Sequence, residues 1–158
     1  MWRSSPWTNA GLSPCKEMKA KGGLIVRAVL MSMKPEWWEK ILAGEKDLEI
    51  RKTAPQGGAG EPDPWPLLVL VYVSGTGAVQ GKFSCPGYIK TNLLTGLNKR
   101  SCVPLADLVD YAGGPGKSVC AWVVKKPEKF DTPSQLAEFG MTHPPMSWQY
   151  IEIPETEE

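Results

Sequence analysis

The sequence predicts an α+β fold, a small and mostly antiparallel β-barrel of about six short strands with two to three peripheral helices. Three observations predict it. Short apolar or alternating segments recur along the chain, separated by Gly, Pro and Ser turns. The helical stretches among them are brief and open at a proline or a Ser/Thr cap. Strand and helix never alternate in units of the length a parallel sheet needs. A chain of 158 residues, 42% hydrophobic and 22% charged, has the size and apolar content of one soluble globular domain.

The elements follow in order. Leu24 to Met33 is β-rich and reads as the first strand. Pro35 suits the first turn of a helix, where its missing N–H costs nothing, and Glu36 in that turn favours the helix dipole. Trp37, Trp38, Ile41 and Leu42 stand at helical spacing, and Gly44 is placed to cap the end. Lys46 to Lys52 alternates as a strand. Leu48 and Ile50 share one face with Lys46 and Lys52, while Asp47, Glu49 and Arg51 share the other. Ala54 to Pro66 is a Gly/Pro-rich loop. Leu67 to Val73 is a buried strand, and Thr76 to Ser84 follows after a turn at Ser74-Gly75. Pro86 to Ser101 carries no regular pattern. A short helix spans Pro104 to Tyr111 and ends at Gly113-Gly114, before an apolar strand from Ser118 to Val124. Thr132 or Ser134 caps a helix over Ser134 to Phe139, and Trp148 to Ile153 is the last strand. Residues 1–22 read as a disordered N-terminal extension, 23–154 as the domain and 155–158 as an acidic tail. No internal repeat is visible.

Charge and cysteine content exclude several function classes. The net charge of +1 provides no global field toward nucleic acid or membrane. From Gly81 to Lys129, eight Lys/Arg face three Asp/Glu, while Phe130 to Glu158 holds six acids and no Lys/Arg. A basic middle and an acidic end allow a locally basic face built on Lys82, Lys90, Lys99, Arg100 and Lys117. Cys15, Cys85, Cys102 and Cys120 form no C-x-x-C pair and His143 is the single histidine, which argues against a structural zinc site. No cofactor is implied. No run reaches the ~18 apolar residues of a membrane span. Residues 1–22 lack the apolar core of a signal peptide, so reduced thiols and a cytoplasmic setting are expected. Gly113-Gly114-Pro115-Gly116 leads into a strand and does not match a phosphate-binding P-loop.

The stretch S-M-K-P-E-W-W-E-K-I-L-A-G-E-K-D-L-E-I-R-K, Ser32 to Lys52, holds the densest chemistry. A tight helix–Gly–strand joint keeps Lys34 and Lys46 near the start of the strand. Glu49 and Arg51 stand two residues apart on one face. Such a pair is a structural salt bridge or a device that orients Arg51 or Lys46 toward a phosphate.

This stretch resembles the opening of the ASCH (activating signal cointegrator homology) domain, within the PUA-like superfamily. The family pattern is a strand ending in a K-P step, a helix, then G-x-K-x-x-E-x-R. Lys34, Pro35, Gly44, Lys46, Glu49 and Arg51 match it. P-P-M-S-W-Q-Y-I-E, Pro144 to Glu152, resembles the closing strand of bacterial and phage-type members. The resemblance runs from Val29 to Ile153 and implies a PUA-like β-barrel with a cleft beside the first helix. It implies RNA or a nucleotide-like ligand as partner, and a site of Lys34, Lys46, Glu49, Arg51 and Trp148. Trp148 is there as an aromatic that stacks on a base. Trp65 is a second aromatic of that kind.

Two alternatives accompany the binding module. The first is a hydrolase of the same fold, with Lys46 as the one catalytic candidate. Some ASCH members hydrolyse the acyl amide of N4-acetylcytidine through a Lys and a Thr three residues later. Here those positions are Lys46 and Glu49, and a carboxylate cannot serve as a hydroxyl nucleophile. Another member group is a single-strand ribonuclease using Lys, Tyr and Ser, and no Tyr or Ser here matches its motif. The second alternative is a phage- or prophage-type protein-interaction module, which predicts an exposed apolar patch.

Overall fold

The computed structural model describes residues 25–56 and 64–154. The expected N-terminal extension, the centre of the Gly/Pro-rich loop and the acidic tail lie outside the described residues.

In chain order the elements are β1 (Ile25–Met33), α1 (Pro35–Leu42), β2 (Leu48–Arg51), β3 (Leu67–Val73), β4 (Ala78–Cys85) and β5 (Tyr88–Thr91). A 3₁₀ turn (Leu94–Gly96), α2 (Asn98–Ser101), α3 (Leu105–Ala112), β6 (Val119–Val123), β7 (Lys125–Ser134), a second 3₁₀ turn (Leu136–Phe139) and β8 (Trp148–Pro154) follow. The fold is α+β. Its strands pair within two sheets, one of order β7-β4-β3-β1-β8 and one of order β2-β6-β5. The chain forms two compact units. One comprises the segment up to Pro35, Leu68–Phe83 and the segment from Glu128, and the other comprises Glu36–Leu67 and Ser84–Pro127.

The first unit is organised around β1, which pairs in parallel with β3 (Val29 opposite Val69) and antiparallel with β8 (Ile25 opposite Pro154). The parallel β1–β3 pair sits beside antiparallel pairings of β1 with β8, β2 with β6 and β5 with β6, within the mostly antiparallel pattern the sequence predicts. A parallel pair needs a long crossover, and the segment carrying α1 and β2 supplies it. β2 pairs with β6 in the other sheet. Ala28, Leu30, Leu70, Tyr72, Val79, Phe130, Ile151 and Ile153 form the core of this unit. Each fully buried aliphatic chain there contributes ~1.5–3 kcal/mol.

β7 was not anticipated. Its sequence K-K-P-E-K-F-D-T-P-S is almost wholly exposed, apart from Phe130 and Ser134. Two prolines are tolerated because β7 is an edge strand with no second neighbour to bond. The strand also displaces the expected helix. Residues after Ser134 make only a 3₁₀ turn, and its start is held by Gln135 N–H donating to Glu138 Oε2 at 2.9 Å rather than by Thr132 or Ser134.

The second unit packs Leu48, Ile50, Leu94, Leu97, Leu108, Val119 and Ala121 into its core. In register, Glu49 faces Trp122 and Arg51 faces Cys120 across β2 and β6. Tyr88 and Lys90 of β5 extend these two rows. β5 lies in the stretch that showed no pattern in the sequence. α1 ends as a Schellman motif: Gly44 N–H donates to Ile41 O at 3.1 Å and Glu45 N–H to Lys40 O at 3.0 Å. Gly44 sits at φ +83°, a conformation that favours glycine.

Candidate functional site

The helix end positions the site. Gly44 reverses the chain, and Asp47 then ties the joint to α2. Its N–H donates to Arg100 O at 2.9 Å and its Oδ1 accepts from Arg100 Nε at 2.9 Å. Lys46 precedes the first strand residue, so strand alternation does not govern it. Its side chain lies with Glu49, not with Leu48 and Ile50 as the simple pattern predicts.

Lys46, Glu49 and Arg51 are all buried, at 2%, 4% and 9% exposure. The Lys46 ammonium donates to Ser101 O at 2.7 Å, at the C-terminal end of α2, where a helix leaves carbonyls without internal partners. It lies 3.3 Å from Glu49 Oε1. Arg51 directs both Nε (3.0 Å) and Nη2 (2.8 Å) at the other carboxylate oxygen, Oε2. The carboxylate is thus divided, one oxygen to each cation. Oε1 accepts no well-aligned hydrogen bond among the described residues, and the Lys46 ion pair is its nearest compensation. The ammonium also stands 4.9 Å from the centre of the Trp37 ring, a cation–π distance.

Burial pushes the Lys46 ammonium below its ordinary pKa, and the Glu49 carboxylate opposes that shift by attraction and hydrogen bonding. Tyr111 borders the cluster. Burial raises its phenol, Arg51 acts to lower it, and the Lys52 ammonium lies 5.3 Å from its ring centre. Cys102 Sγ donates to Glu45 O at 3.2 Å, beside Lys46.

The structure brings Lys46, Glu49 and Arg51 together. Lys34 and Trp148 lie in the first unit, Lys34 exposed and Trp148 half-buried with its ring edge-on to Tyr150 at 5.6 Å. Two cations of the anticipated basic face are engaged in pairs, Arg100 with Asp47 and Lys82 with Glu128. Sequence reasoning missed Trp122. It is fully buried opposite Glu49, and its Nε1 donates to Thr53 O at 3.0 Å. The apolar run of β6 disclosed a strand, but only the β2–β6 register discloses that Trp122 stands opposite Glu49. Among the described residues, no group of three or more His, Cys, Asp or Glu is placed to hold a metal ion. No described helix is long and apolar enough to cross a membrane.

No protein-family model and no curated protein matches the chain. Solved structures do. The crystal structure of ASCH from Zymomonas mobilis superimposes with a TM-score of 0.63 at 17% identity, covering 78% of this chain and 86% of that one. Its tyrosine-to-phenylalanine variant matches at 0.63 and 16% identity, and its serine-to-alanine variant at 0.62 and 16%. Each covers 78% of this chain, with 88% and 87% of the variant chains matched. The protein therefore has the ASCH fold, as its opening motif led us to expect.

Proposed function

We propose that this ASCH-fold chain is a binding module for a nucleotide-like ligand, free or within single-stranded RNA, and that Lys46, Glu49 and Arg51 form its anchor. One observation carries the reading: a single buried carboxylate is shared by two buried cations, leaving the three side chains with a summed charge of +1. Burying charge is costly unless it is matched, and an approaching phosphate supplies negative charge to such a group. Arg51, the most exposed of the three, contacts the phosphate. Lys46 contacts a phosphate or a base carbonyl. Glu49 orients both cations and accepts a base N–H at Oε1. Lys34 and Trp148, on the first unit, are proposed separately as a phosphate contact and a base-stacking ring, each tested by its own substitution.

The test is a titration of fluorescently labelled single-stranded RNA at two salt concentrations, with the RNA run on a gel afterwards. Wild type is expected to bind with salt sensitivity. Lys46→Ala/Arg51→Ala is expected to lose at least tenfold, while Lys34→Ala and Trp148→Ala each lose a smaller factor. Absence of binding by a folded wild type overturns the reading.

A hydrolase of the same fold is the second reading, favoured by the packing of the buried Lys46 amine between Glu49 and the Trp37 ring, where burial lowers its pKa. Shortened RNA on the gel with wild type, and intact RNA with Lys46→Ala, establishes it in place of simple binding.

A further inference from the structure

We propose that the face of the β2–β6–β5 sheet carrying Arg51 continues into a base-stacking subsite made by Trp65, Tyr88 and Lys90, so that the ligand is a single-stranded RNA segment longer than one nucleotide. The proposal rests on the reading above and specifies its substrate class. Register places Arg51, Cys120 and Lys90 in one row across the three strands, and Glu49, Trp122 and Tyr88 in the next. Directly paired residues share a face of the sheet. Lys90 therefore presents its side chain on the same side as Arg51, two strands away, about 10 Å by strand spacing. One phosphate does not bridge that separation.

Exposure opens only at the β5 end of both rows. Arg51 and Cys120 are buried and Lys90 is exposed, while Glu49 and Trp122 are buried and Tyr88 is half-buried. The rows thus lead outward from the buried anchor to the β5 edge. There Trp65, also half-buried, meets Tyr88 at 5.6 Å with ring planes tilted by 47°, and it stands edge-on to Trp122 at 5.7 Å. Trp122, pinned to Thr53 O, fixes the base of the trio. Two aromatic rings retaining exposed surface beside an exposed lysine match what single-stranded nucleic acid requires, π-faces for bases and a cation for the backbone. The tilt keeps Trp65 and Tyr88 from closing flat on one another. A base stacks on one ring and meets the edge of the other.

Calorimetric titrations of adenosine mono-, di- and tetranucleotides test this against wild type, Tyr88→Ala, Tyr88→Phe, Lys90→Ala and Arg51→Ala, with each variant's melting temperature recorded. Tetranucleotide affinity is expected to fall about tenfold in Tyr88→Ala and to return in Tyr88→Phe, with mononucleotide affinity unchanged in both. Lys90→Ala is expected to flatten the salt slope of tetranucleotide binding by about 0.7, the share of one single-strand phosphate. A tetranucleotide that binds no tighter than the mononucleotide, or that ignores both Tyr88→Ala and Lys90→Ala, overturns the subsite and leaves the Arg51 reading standing. Mononucleotide affinity that falls together with the melting temperature in Tyr88→Ala marks the ring as packing and also overturns it. Mononucleotide binding that is indifferent to Arg51→Ala overturns the anchor instead, while tetranucleotide binding that depends on Tyr88 upholds the subsite. No binding of any oligomer overturns both.

Discussion

The two units bury different things. Among the described residues of the first, the buried side chains are apolar except for Ser134. The second buries Lys46, Glu49, Arg51 and Ser101 alongside its aliphatic core. Both units solve the same packing problem, covering a sheet with Leu, Val and Ile, yet only one takes on the desolvation of ions. A buried ion cluster is seldom the most stable way to fill a core. Its retention on the edge strand of a small sheet is a desolvation cost that the apolar core of the first unit does not carry.

The comparison breaks most visibly at Glu49. Glu49→Ala strands two buried cations and is expected to cost about 4 kcal/mol of stability, measured by urea unfolding. Replacing the cluster as a whole, by Lys46→Met/Glu49→Leu/Arg51→Met, is expected to recover most of that loss while abolishing ligand binding. A triple variant as unstable as Glu49→Ala contradicts the view that the charges serve function before stability. In the first unit, Leu70→Ala leaves a cavity in a wholly apolar core and is expected to cost about 3 kcal/mol. No change of charge or salt should rescue it.

A smaller effect sharpens the role of the helix joint. Gly44→Ala meets no neighbouring atom within 4 Å, so any loss reports the backbone alone. About 1–2 kcal/mol is expected from the left-handed conformation. The smallest effect is a pH dependence. The folded-state pKa of Lys46 lies below its ordinary value of 10.5. Between those two values the unfolded chain binds the extra proton, so stability contributed by this group rises with pH across that window and is lost again as pH falls through the folded pKa. Melting curves of wild type minus Lys46→Met should show the difference growing toward pH 10.5 and flat below the folded pKa.

Much of this was legible in the sequence wherever the signal is local. Proline before the Trp37-Trp38 helix and glycine at its end are short-range chemistry, and α1 and Gly44 stand where that chemistry puts them. The two-residue spacing of Glu49 and Arg51 disclosed their pairing for the same reason, while Lys46 was added to them by the helix–Gly–strand joint and the family motif. Pairing is not local, and there the reading stopped. β7 escaped because its prolines and lysines are permitted by its edge position, not by any pattern of its own. β5, four residues with none fully buried, carries no hydrophobic period to detect. The parallel partner of β1 and the burial of Trp122 opposite Glu49 depend on contacts between distant segments. The side on which Lys46 lies depends on a helix end that overrides strand alternation.

The pairing of Ile25 with Pro154 has a consequence for synthesis on the ribosome. The sheet of the first unit cannot be completed until β8 has been made. The second unit lies entirely between, within Glu36–Leu67 and Ser84–Pro127. Vectorial translation therefore offers the ion-bearing unit its full sequence first, and the first unit is completed after it, when β8 joins β1. Nascent chains in which Pro127 has cleared the exit tunnel but β8 has not should already protect Trp122 and Leu108 from labelling or proteolysis, while β1 still waits for its second partner.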